Sequence, residues 1–227
     1  MHLVCKHEIS DTKKKITKIK ERVEAVRNWR ANSERANTKK LADTPTIFAE
    51  IRQPESDYLA FPTVSSENRN YIPIAFLKSE IIASNQLYIL PNANNFIFGI
   101  LTSLMHMVWV KNIAGRLKSD YRYSASIVYN NYPFPQQTSE AHKKKVEDAA
   151  QLVLDIRVKY TNSSLADLYD PLSMPPDLFK AHQQLDKAVD LCYRPQAFMN
   201  ELARIEYLFG LYEQITAPMF KHEKKKK

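Results

Sequence analysis

Lys118, Asp120 and Arg122 alternate along a short segment, and side chains of these types could read the edges of DNA base pairs. In an extended strand, side chains two residues apart project from the same face, so these three would form one charged row. Lys or Arg donates hydrogen bonds to O6 and N7 of guanine, and Asp accepts one from N4 of cytosine. The alternative is an ordinary solvated strand face, because charged side chains are usually exposed to water. We predict that Lys118 and Asp120 read bases.

Further residues could contact the DNA backbone or bases. We predict this role for a set of residues in the loops and strands that flank the expected core. They are Arg69, Lys78, Arg116, Arg122 and Tyr123. Positively charged side chains neutralise phosphates and fix the register of a protein on the duplex without reading its sequence. For Arg122, a structural role beside a nearby carboxylate is an alternative.

The composition favours an anionic partner and disfavours catalysis. The 227 residues carry a net charge of +8 and a pI of about 9.3, so nucleic acid is the first candidate partner. Only three glycines occur, and the sequence has neither a Gly-rich phosphate loop nor the Gly fingerprint of a dinucleotide or methyl-donor site. It also has no Asn-Pro-Pro-Tyr motif and no convincing pair of catalytic carboxylates. These features predict a binding module.

The cysteine content indicates a reducing compartment, and the hydropathy of the sequence indicates neither secretion nor a membrane span. Cys5 and Cys192 are the only cysteines, and they are too few and too far apart for a disulfide scaffold. The start of the sequence lacks the apolar run of a signal peptide, and the apolar run at residues 96–110 is too short to span a bilayer. We therefore expect a cytoplasmic protein with no membrane partner.

The residues before the charged row predict a long basic helix. Between residues 11 and 42, apolar side chains from Ile16 to Val26 recur at helical spacing and form one narrow stripe, and Asp11 or Thr12 could cap the helix. Such a helix could lie along a phosphate backbone, or it could pack on a neighbouring domain with its other faces in water. The second interpretation is favoured, because runs of charge usually face solvent.

A change of period after residue 44 predicts strands, which are rich in aromatic and β-branched side chains. They lie at residues 58–64, 71–77 and 87–90, and a polar turn lies at residues 65–70. Pro62 and Pro73 indicate edge positions or bulges. A helix should follow as far as Val108, with Trp109 returning to strand and loop. His106 in this helix is expected to be a packed histidine with a local hydrogen bond, since no other ligands lie at zinc-like spacing.

The sequence after residue 139 is predicted to be helical. Ser139 can cap the first helix, and Ser164 with Asp167 fits a capping box. His182 and Asp186 are four residues apart, a spacing that could serve acid–base chemistry. Such a pair is more often a contact on a helix surface, and we interpret it in that way.

Several long motifs resemble the C-terminal part of MmeI-like type IIL enzymes, which are fused restriction–modification proteins. The motifs include YLAFPTVSSENRNYIPIAFL, FGILTSLMHMVWVKNIAGRLKSDYRYSASIVYNNYPFP and SSLADLYDPLSMPPDLFKAHQQLDKAVDLCYRP. The resemblance covers nearly everything from residue 20 to residue 215. It implies that this chain is a fragment that holds the target-recognition domain and the C-terminal helical segment. The nuclease and adenine-N6 methyltransferase parts would lie upstream.

The resemblance also implies partners and residue roles. In this family an opposite-charge pair inside the motif GRL-x-S-x-YRYS is implicated in the choice of one base pair, and the pair corresponds to Lys118 and Asp120. Family members also occur with Glu and Arg there, so this chain carries the opposite signs. The implied partners are double-stranded DNA and the upstream methyltransferase domain. The parent would use S-adenosylmethionine and magnesium, and this fragment would hold no cofactor. The C-terminal helices resemble the helical spacers of type I specificity subunits.

We therefore expect an α+β protein, with a mixed-sheet target-recognition domain at residues 44–135 followed by an all-α helical C-terminal domain at residues 139–215. Residues 11–43 would form a connecting helix from the upstream methyltransferase, and residues 216–227 would form a basic tail. The expected function is recognition of a specific double-stranded DNA sequence within a restriction–modification methyltransferase. The alternative is a protein-interaction or scaffold module, which steeply salt-dependent DNA binding would exclude.

Overall fold

A computed structural model describes residues 17–221 of the chain. Within them the chain forms two compact units, which are considered separately. The first unit runs up to Asp57 and includes Lys78–Ile82, and the second contains Tyr58–Leu77 and the chain from Ala83 onward. The capping residues Asp11 and Thr12, and the end of the basic tail, lie outside the described residues.

The regular structure described in the first unit is helical. Helix α1 spans Thr17–Ala31 and α2 spans Ala36–Lys40, followed by a 3₁₀ turn at Leu41–Asp43. The prediction of one continuous helix as far as residue 42 is therefore wrong. The hydroxyl of Ser33 accepts a hydrogen bond from the amide of Arg35, 3.3 Å away, and this local bond competes with the helical pattern at the break.

Arg30 fixes the chain that follows these helices. Its guanidinium donates to the carbonyl oxygens of Leu41, Thr44 and Ile47 at 3.0, 2.8 and 3.0 Å. Helix α1 buries none of its residues. The narrow apolar stripe is thus insufficient to bury the helix within this unit, because burial needs a wider apolar face.

The second unit begins with a three-stranded antiparallel sheet in the order β3-β1-β4. Strand β1 spans Tyr58–Pro62, β3 spans Ala75–Leu77 and β4 spans Leu87–Pro91. The predicted strands are present, although the second begins only at Ala75, two residues after Pro73. Pro62 is the last residue of the central strand and not part of an edge strand. At that position a missing amide donor no longer interrupts the ladder.

A second antiparallel sheet has the order β2-β6-β5. Strand β2 spans Val64–Ser65, β5 spans Gly115–Leu117 and β6 spans Asp120–Arg122. The α+β class is confirmed, but every strand pair in the described residues is antiparallel, so the sheets are not mixed. Parallel pairs need a long crossover within one sheet. Here β5 and β6 are joined by a tight turn.

Helices α3 (Asn95–Leu101) and α4 (Leu104–Ile113) connect the two sheets. Asn94 caps α3 through the amide of Ile97, and Ser103 caps α4 through the amide of His106. The predicted single helix is therefore divided by a new cap, and α4 continues five residues beyond the predicted end at Val108. No single described helix is long and apolar enough to cross a membrane, although α3 and α4 together, bent by 50°, reach that length and composition.

Trp109 lies inside α4, so the prediction that it returns to strand is wrong. It is 1% exposed, and its indole Nε1 donates to the carbonyl of Val128 at 3.0 Å. Val128 belongs to a π-helical turn at Ala125–Tyr129 that follows β6. Burial of the indole face with a satisfied N–H explains why the side chain stabilises a helix in this position.

The C-terminal part is helical, as predicted. Helix α5 spans Glu140–Val158, α6 spans Leu165–Leu168, α7 spans Pro176–Tyr193 and α8 spans Glu201–Lys221. Ser139 caps α5 through the amide of His142. Ser164 and Asp167 form the predicted capping box, in which each side chain accepts from the backbone amide of the other residue. The local sequence alone specifies these helix starts.

One apolar core joins the sheets to these C-terminal helices. A Cβ atom built on Gly99 in α3 would lie 2.7 Å from Cγ1 of Val146 and 3.3 Å from Cβ of Ala150, both on α5. This approach is closer than real Cβ contacts allow, so the position requires glycine. The core is therefore continuous across residues 135–139, the boundary between the two predicted domains.

His182 and Asp186 are buried, which contradicts the helix-surface contact we predicted. Asp186 accepts hydrogen bonds from the hydroxyl of Tyr71 and from the amide of Leu104, each at 2.7 Å. Nε2 of His182 lies 2.7 Å from the hydroxyl of Tyr169. Burial raises the pKa of Asp186 to about 6 and holds the pKa of His182 well below its usual range. The two residues do lie four apart on helix α7, but they face the core and not the surface, because their hydrogen-bond partners Tyr71, Leu104 and Tyr169 lie outside this helix.

His106 is a packed histidine with a local hydrogen bond, as predicted. Nδ1 lies 2.7 Å from the carbonyl of Leu101, and Nε2 lies 3.1 Å from the hydroxyl of Tyr123. Because a carbonyl can only accept, Nδ1 carries the proton and Nε2 accepts from the phenol. Burial lowers the pKa of His106 to about 4, so the neutral ring is the one that fits this position.

Candidate nucleic-acid interface

Strands β5 and β6 form a hairpin with a two-residue loop, Lys118 and Ser119, because Leu117 pairs directly with Asp120. Lys118 has φ of 56°, in the left-handed region that favours glycine. The prediction that Lys118 lies on the same strand face as Asp120 is therefore wrong. The side chain of Lys118 extends from the tip of the hairpin, where it is exposed.

Asp120 and Arg122 do share the outer face of β6, as their spacing predicted. Tyr121 between them points to the opposite face and is buried. Their direct neighbours on β5 are Leu117, opposite Asp120, and Gly115, opposite Arg122. Leu117 is 53% exposed, and nothing lies within 4 Å of a Cβ built on Gly115. The outer face of this hairpin is thus open.

Lys118 and Arg122 carry charges that are not neutralised inside the second unit. Neither side chain makes a hydrogen bond or ion pair with the residues that the structure describes, and Lys118 is not ion-paired to Asp120. The alternative in which Arg122 pairs with a nearby carboxylate therefore finds no support in the geometry. Two exposed cations and a carboxylate on one small hairpin present donors and an acceptor to a partner.

Arg116 occupies a different environment, on the inner face of β5. Its Nη1 donates to the carbonyl of Ser119 at 2.8 Å, and its Cζ lies 4.0 Å from the ring centroid of Tyr121. A carboxylate oxygen of Glu67 lies 3.8 Å from the same Nη1. Arg116 is therefore held against the hairpin by contacts within the protein, and these contacts disfavour the phosphate contact predicted for it.

Asp120 is connected to the polar turn at residues 65–70. The amide of Glu67 donates to Oδ1 of Asp120 at 3.3 Å, and the turn itself closes through the amide of Arg69 and the carbonyl of Ser66 at 3.2 Å. Oδ2 of Asp120 makes no hydrogen bond to the described residues. One carboxylate oxygen is thus engaged, and the other is available to a ligand.

Arg69 and Lys78 stand in different environments. Nε of Arg69 is buried and has no hydrogen-bond acceptor among the residues the structure describes. Lys78 belongs to the first unit, where its Nζ lies 2.7 Å from a carboxylate oxygen of Asp57. The hydrogen bond raises the pKa of Lys78 and lowers the pKa of Asp57. Both DNA contacts stay predictions.

Tyr123 lies in the core, and this position is incompatible with the predicted DNA contact. It is 3% exposed, its hydroxyl bonds His106, and its ring centroid lies 5.1 Å from that of Phe61 in an edge-on arrangement. Burial raises its pKa well above the usual value. Tyr123 follows β6 directly, so the ring anchors the hairpin strand to helix α4 and positions the interface from behind.

Leu117, Gly115 and Glu67 belong to this interface, and sequence reasoning missed them. Leu117 and Gly115 could have been found from a hairpin centred on Lys118, but Lys-Ser is not a typical turn pair. Glu67 is 53 residues from Asp120, so no local pattern could connect them. The described residues contain no group of three or more His, Cys, Asp or Glu side chains that could hold a metal ion.

Comparison with known proteins identifies the family. The family model of the MmeI target recognition domain matches residues 2–136, and that of the MmeI C-terminal domain matches residues 135–220. DNA methyltransferase A of Bacillus subtilis (strain 168) is 41% identical over 198 residues, which cover 87% of this chain and 22% of that protein. The type IIL restriction–modification enzyme MmeI, solved in complex with DNA, is 47% identical with a TM-score of 0.82.

The match to MmeI covers 88% of this chain and 26% of the MmeI chain. This chain therefore spans about a quarter or less of the length of these two relatives. The two matched models together account for nearly the whole sequence, and they meet at residues 135–136. The chain belongs to the MmeI family and comprises its target recognition and C-terminal domains.

Proposed function

We propose that this chain recognises a specific double-stranded DNA sequence on behalf of an adenine-N6 methyltransferase of the restriction–modification type. The observation that carries the proposal is the open hairpin, which presents Lys118, Asp120 and Arg122 without ion pairs to the described residues. The overall charge of +8 supports an anionic partner. The solved MmeI complex contains DNA, and its chain is similar to this one over 88% of the residues here.

A two-stranded β-ribbon fits the major groove of B-DNA, where each base pair presents its own pattern of donors and acceptors. In this proposal the hairpin enters the groove with its tip. The ammonium of Lys118 donates to O6 or N7 of guanine, and the free Oδ2 of Asp120 accepts from N4 of the paired cytosine. A wrong base pair leaves these groups unmatched, so discrimination of about 1–3 kcal/mol is expected.

Other cations supply affinity without sequence information. Arg122, beside Gly115 on the open face, is placed to meet a phosphate, and each such contact releases counterions from the duplex. Arg69 and Lys78 are further candidates for this role. Phosphate contacts would set the register, and the hairpin tip would read the base pair.

The catalytic parts belong elsewhere in the parent protein in this proposal. An upstream methyltransferase domain would bind S-adenosylmethionine, and a nuclease would use magnesium. This chain would deliver the target site to them and neither methylate nor cut DNA by itself. Transfer of a labelled methyl group to DNA by the isolated chain would contradict that division of labour.

The decisive experiment exchanges the two charges in the full-length parent, as Lys118→Glu with Asp120→Arg. Methylation should move to sites in which C replaces G at one position, with the other positions unchanged. The control exchanges Glu140 and Lys143, an exposed ion pair at the start of α5, because it also reverses two charges without altering the net charge. The methylated sites are read by methylome sequencing. Unchanged methylation of the original site would refute base reading by this pair.

A further inference from the structure

Asp120 is held from one side by a backbone group of the neighbouring turn. Glu67 is the second residue of the turn Ser66–Arg69, and its amide donates to Oδ1 of Asp120 at 3.3 Å. Carboxylates on short side chains rotate freely when no donor fixes them. With Oδ1 engaged, the plane of the carboxylate is set, and Oδ2 points away from the turn as an acceptor.

The Glu67 side chain makes a separate contact, with Arg116 on strand β5 of the hairpin. Its carboxylate lies 3.8 Å from Nη1 of Arg116, and that nitrogen donates to the carbonyl of Ser119 beside Lys118. The half-exposed Glu67–Arg116 ion pair is long, so it contributes little energy. The amide is the stronger constraint on Asp120, because it contacts the carboxylate itself.

We infer that the backbone amide of Glu67 is a specificity-determining group, because it orients the Asp120 carboxylate so that Oδ2 faces the base pair. This inference rests on the proposed base reading by Asp120. It assigns Glu67 a positioning role, in which the residue touches no base. Its effect is confined to the base pair that Asp120 reads, since the hydrogen bond reaches no other side chain at the tip.

Proline tests the amide directly. Proline lacks the N–H group, and its φ suits the first central position of a β-turn, which Glu67 occupies. Glu67→Pro therefore removes the hydrogen bond to Asp120 while it preserves the turn. Glu67→Ala is the matched control, because it removes the same carboxylate and keeps the amide. Asp120→Ala in the same parent protein gives the value expected when the carboxylate is lost.

The measured quantity is the ratio of kcat/KM for methylation of the cognate duplex to that of a duplex with one altered base pair, in the full-length parent. Glu67→Pro should lower this ratio about tenfold at the Asp120 base pair and leave the ratios at other positions unchanged. Glu67→Ala should keep all ratios within about twofold of the original protein. A fold defect would instead lower methylation of every duplex.

A second variant leaves the turn untouched. Asp120→Asn keeps one oxygen, and if the Glu67 amide holds that oxygen, the NH₂ group must face the base. An NH₂ group is a donor, so the preference for the cytosine N4 donor should be lost. Retention of that preference by Asp120→Asn would show that the side chain flips freely, and it would overturn the inference.

The outcomes separate the inference from the proposed function. If Asp120→Ala loses discrimination while Glu67→Pro retains it, the positioning role is refuted and base reading by Asp120 stands. If Glu67→Ala loses discrimination as fully as Glu67→Pro, the side chain is responsible and the assignment to the amide is wrong. If Asp120→Ala retains discrimination, both the base reading and the inference fail.

Discussion

The hydroxyl of Tyr71 donates a hydrogen bond to Oδ2 of Asp186, 2.7 Å away and 115 residues later in the sequence. The same carboxylate accepts from the amide of Leu104 at the start of α4. Asp186 lies on helix α7, so a single side chain connects the C-terminal helices to the chain between β2 and β3 and to the helix that precedes the hairpin. The C-terminal domain thereby supports the scaffold of the interface.

Asp186→Asn should destabilise the protein by about 2–3 kcal/mol at neutral pH. An amide offers one oxygen in place of two, so one of the two donors, Tyr71 or Leu104, would be left buried and unpaired. Urea denaturation monitored by circular dichroism gives the free energy of unfolding. Asp148→Asn is the control, because Asp148 is exposed and paired with Lys144 on the surface of α5; it should leave that free energy almost unchanged. Equal effects of the two substitutions would contradict the bridging role.

His106 should make the protein less stable in acid. Burial lowers its pKa from the ordinary 6.5 to about 4 in the folded state, so the unfolded state binds a proton more readily between these values. Stability present above pH 6.5 is therefore lost as the pH falls through the folded pKa. His106→Gln cannot titrate, so its stability should fall less over this range, with a difference of up to about 3 kcal/mol. Parallel stability curves for the two proteins between pH 4 and pH 7 would contradict this assignment.

Substitution of Gly99 and of Gly210 by alanine should have opposite effects on stability, because only Gly99 lies where two helices approach closely. Gly99→Ala should destabilise by about 1–3 kcal/mol, because the new methyl group would overlap Val146. Gly210→Ala, in α8, should stabilise by about 0.5–1 kcal/mol, because nothing lies within 4 Å of the added Cβ and alanine is the better helix former. Thermal unfolding of the two variants measures both effects. A neutral Gly99→Ala would mean that the two helices separate at no cost.

Local patterns predicted most of the helical structure. The caps at Ser139 and Ser164 were read correctly because a cap depends on residues within one turn of the helix. Aromatic and β-branched runs likewise located the strands of the first sheet. The failures occurred where local signals conflicted or tertiary contacts decided the outcome. Trp109 suits a strand by propensity, but its N–H bond to Val128 and its burial place it in a helix.

The interface could be predicted by residue type better than by geometry. Asp120 and Arg122 share a face, as period two requires, but Lys118 lies in the two-residue loop of the hairpin and not on that face. Strand register depends on which residues pair, and the pairing of Leu117 with Asp120 leaves no sequence signal except a Lys-Ser loop that lacks the usual turn residues. The bond from Glu67 joins residues that only the folded chain brings together.

Arg122 and Arg116 should differ in their effect on salt dependence, although they lie on paired strands of one hairpin. Arg122 has no acceptor among the described side chains and faces outward, whereas Arg116 is engaged by Ser119, Tyr121 and Glu67. A phosphate contact contributes about one unit to the slope of log K against log salt concentration. Arg122→Gln should therefore flatten the slope by about one unit, and Arg116→Gln should leave it unchanged.

The slopes are measured by fluorescence anisotropy of the full-length parent on a labelled duplex, between low and moderate salt. A weaker affinity of Arg116→Gln with an unchanged slope would fit its contacts, because its hydrogen bond to the carbonyl of Ser119 holds the hairpin tip, which reads bases in the proposed function. A slope that becomes flatter for Arg116→Gln and stays unchanged for Arg122→Gln would reverse the two roles. A flat slope for the unmodified protein would favour the protein-interaction module over DNA recognition, since the phosphate term is present on every duplex.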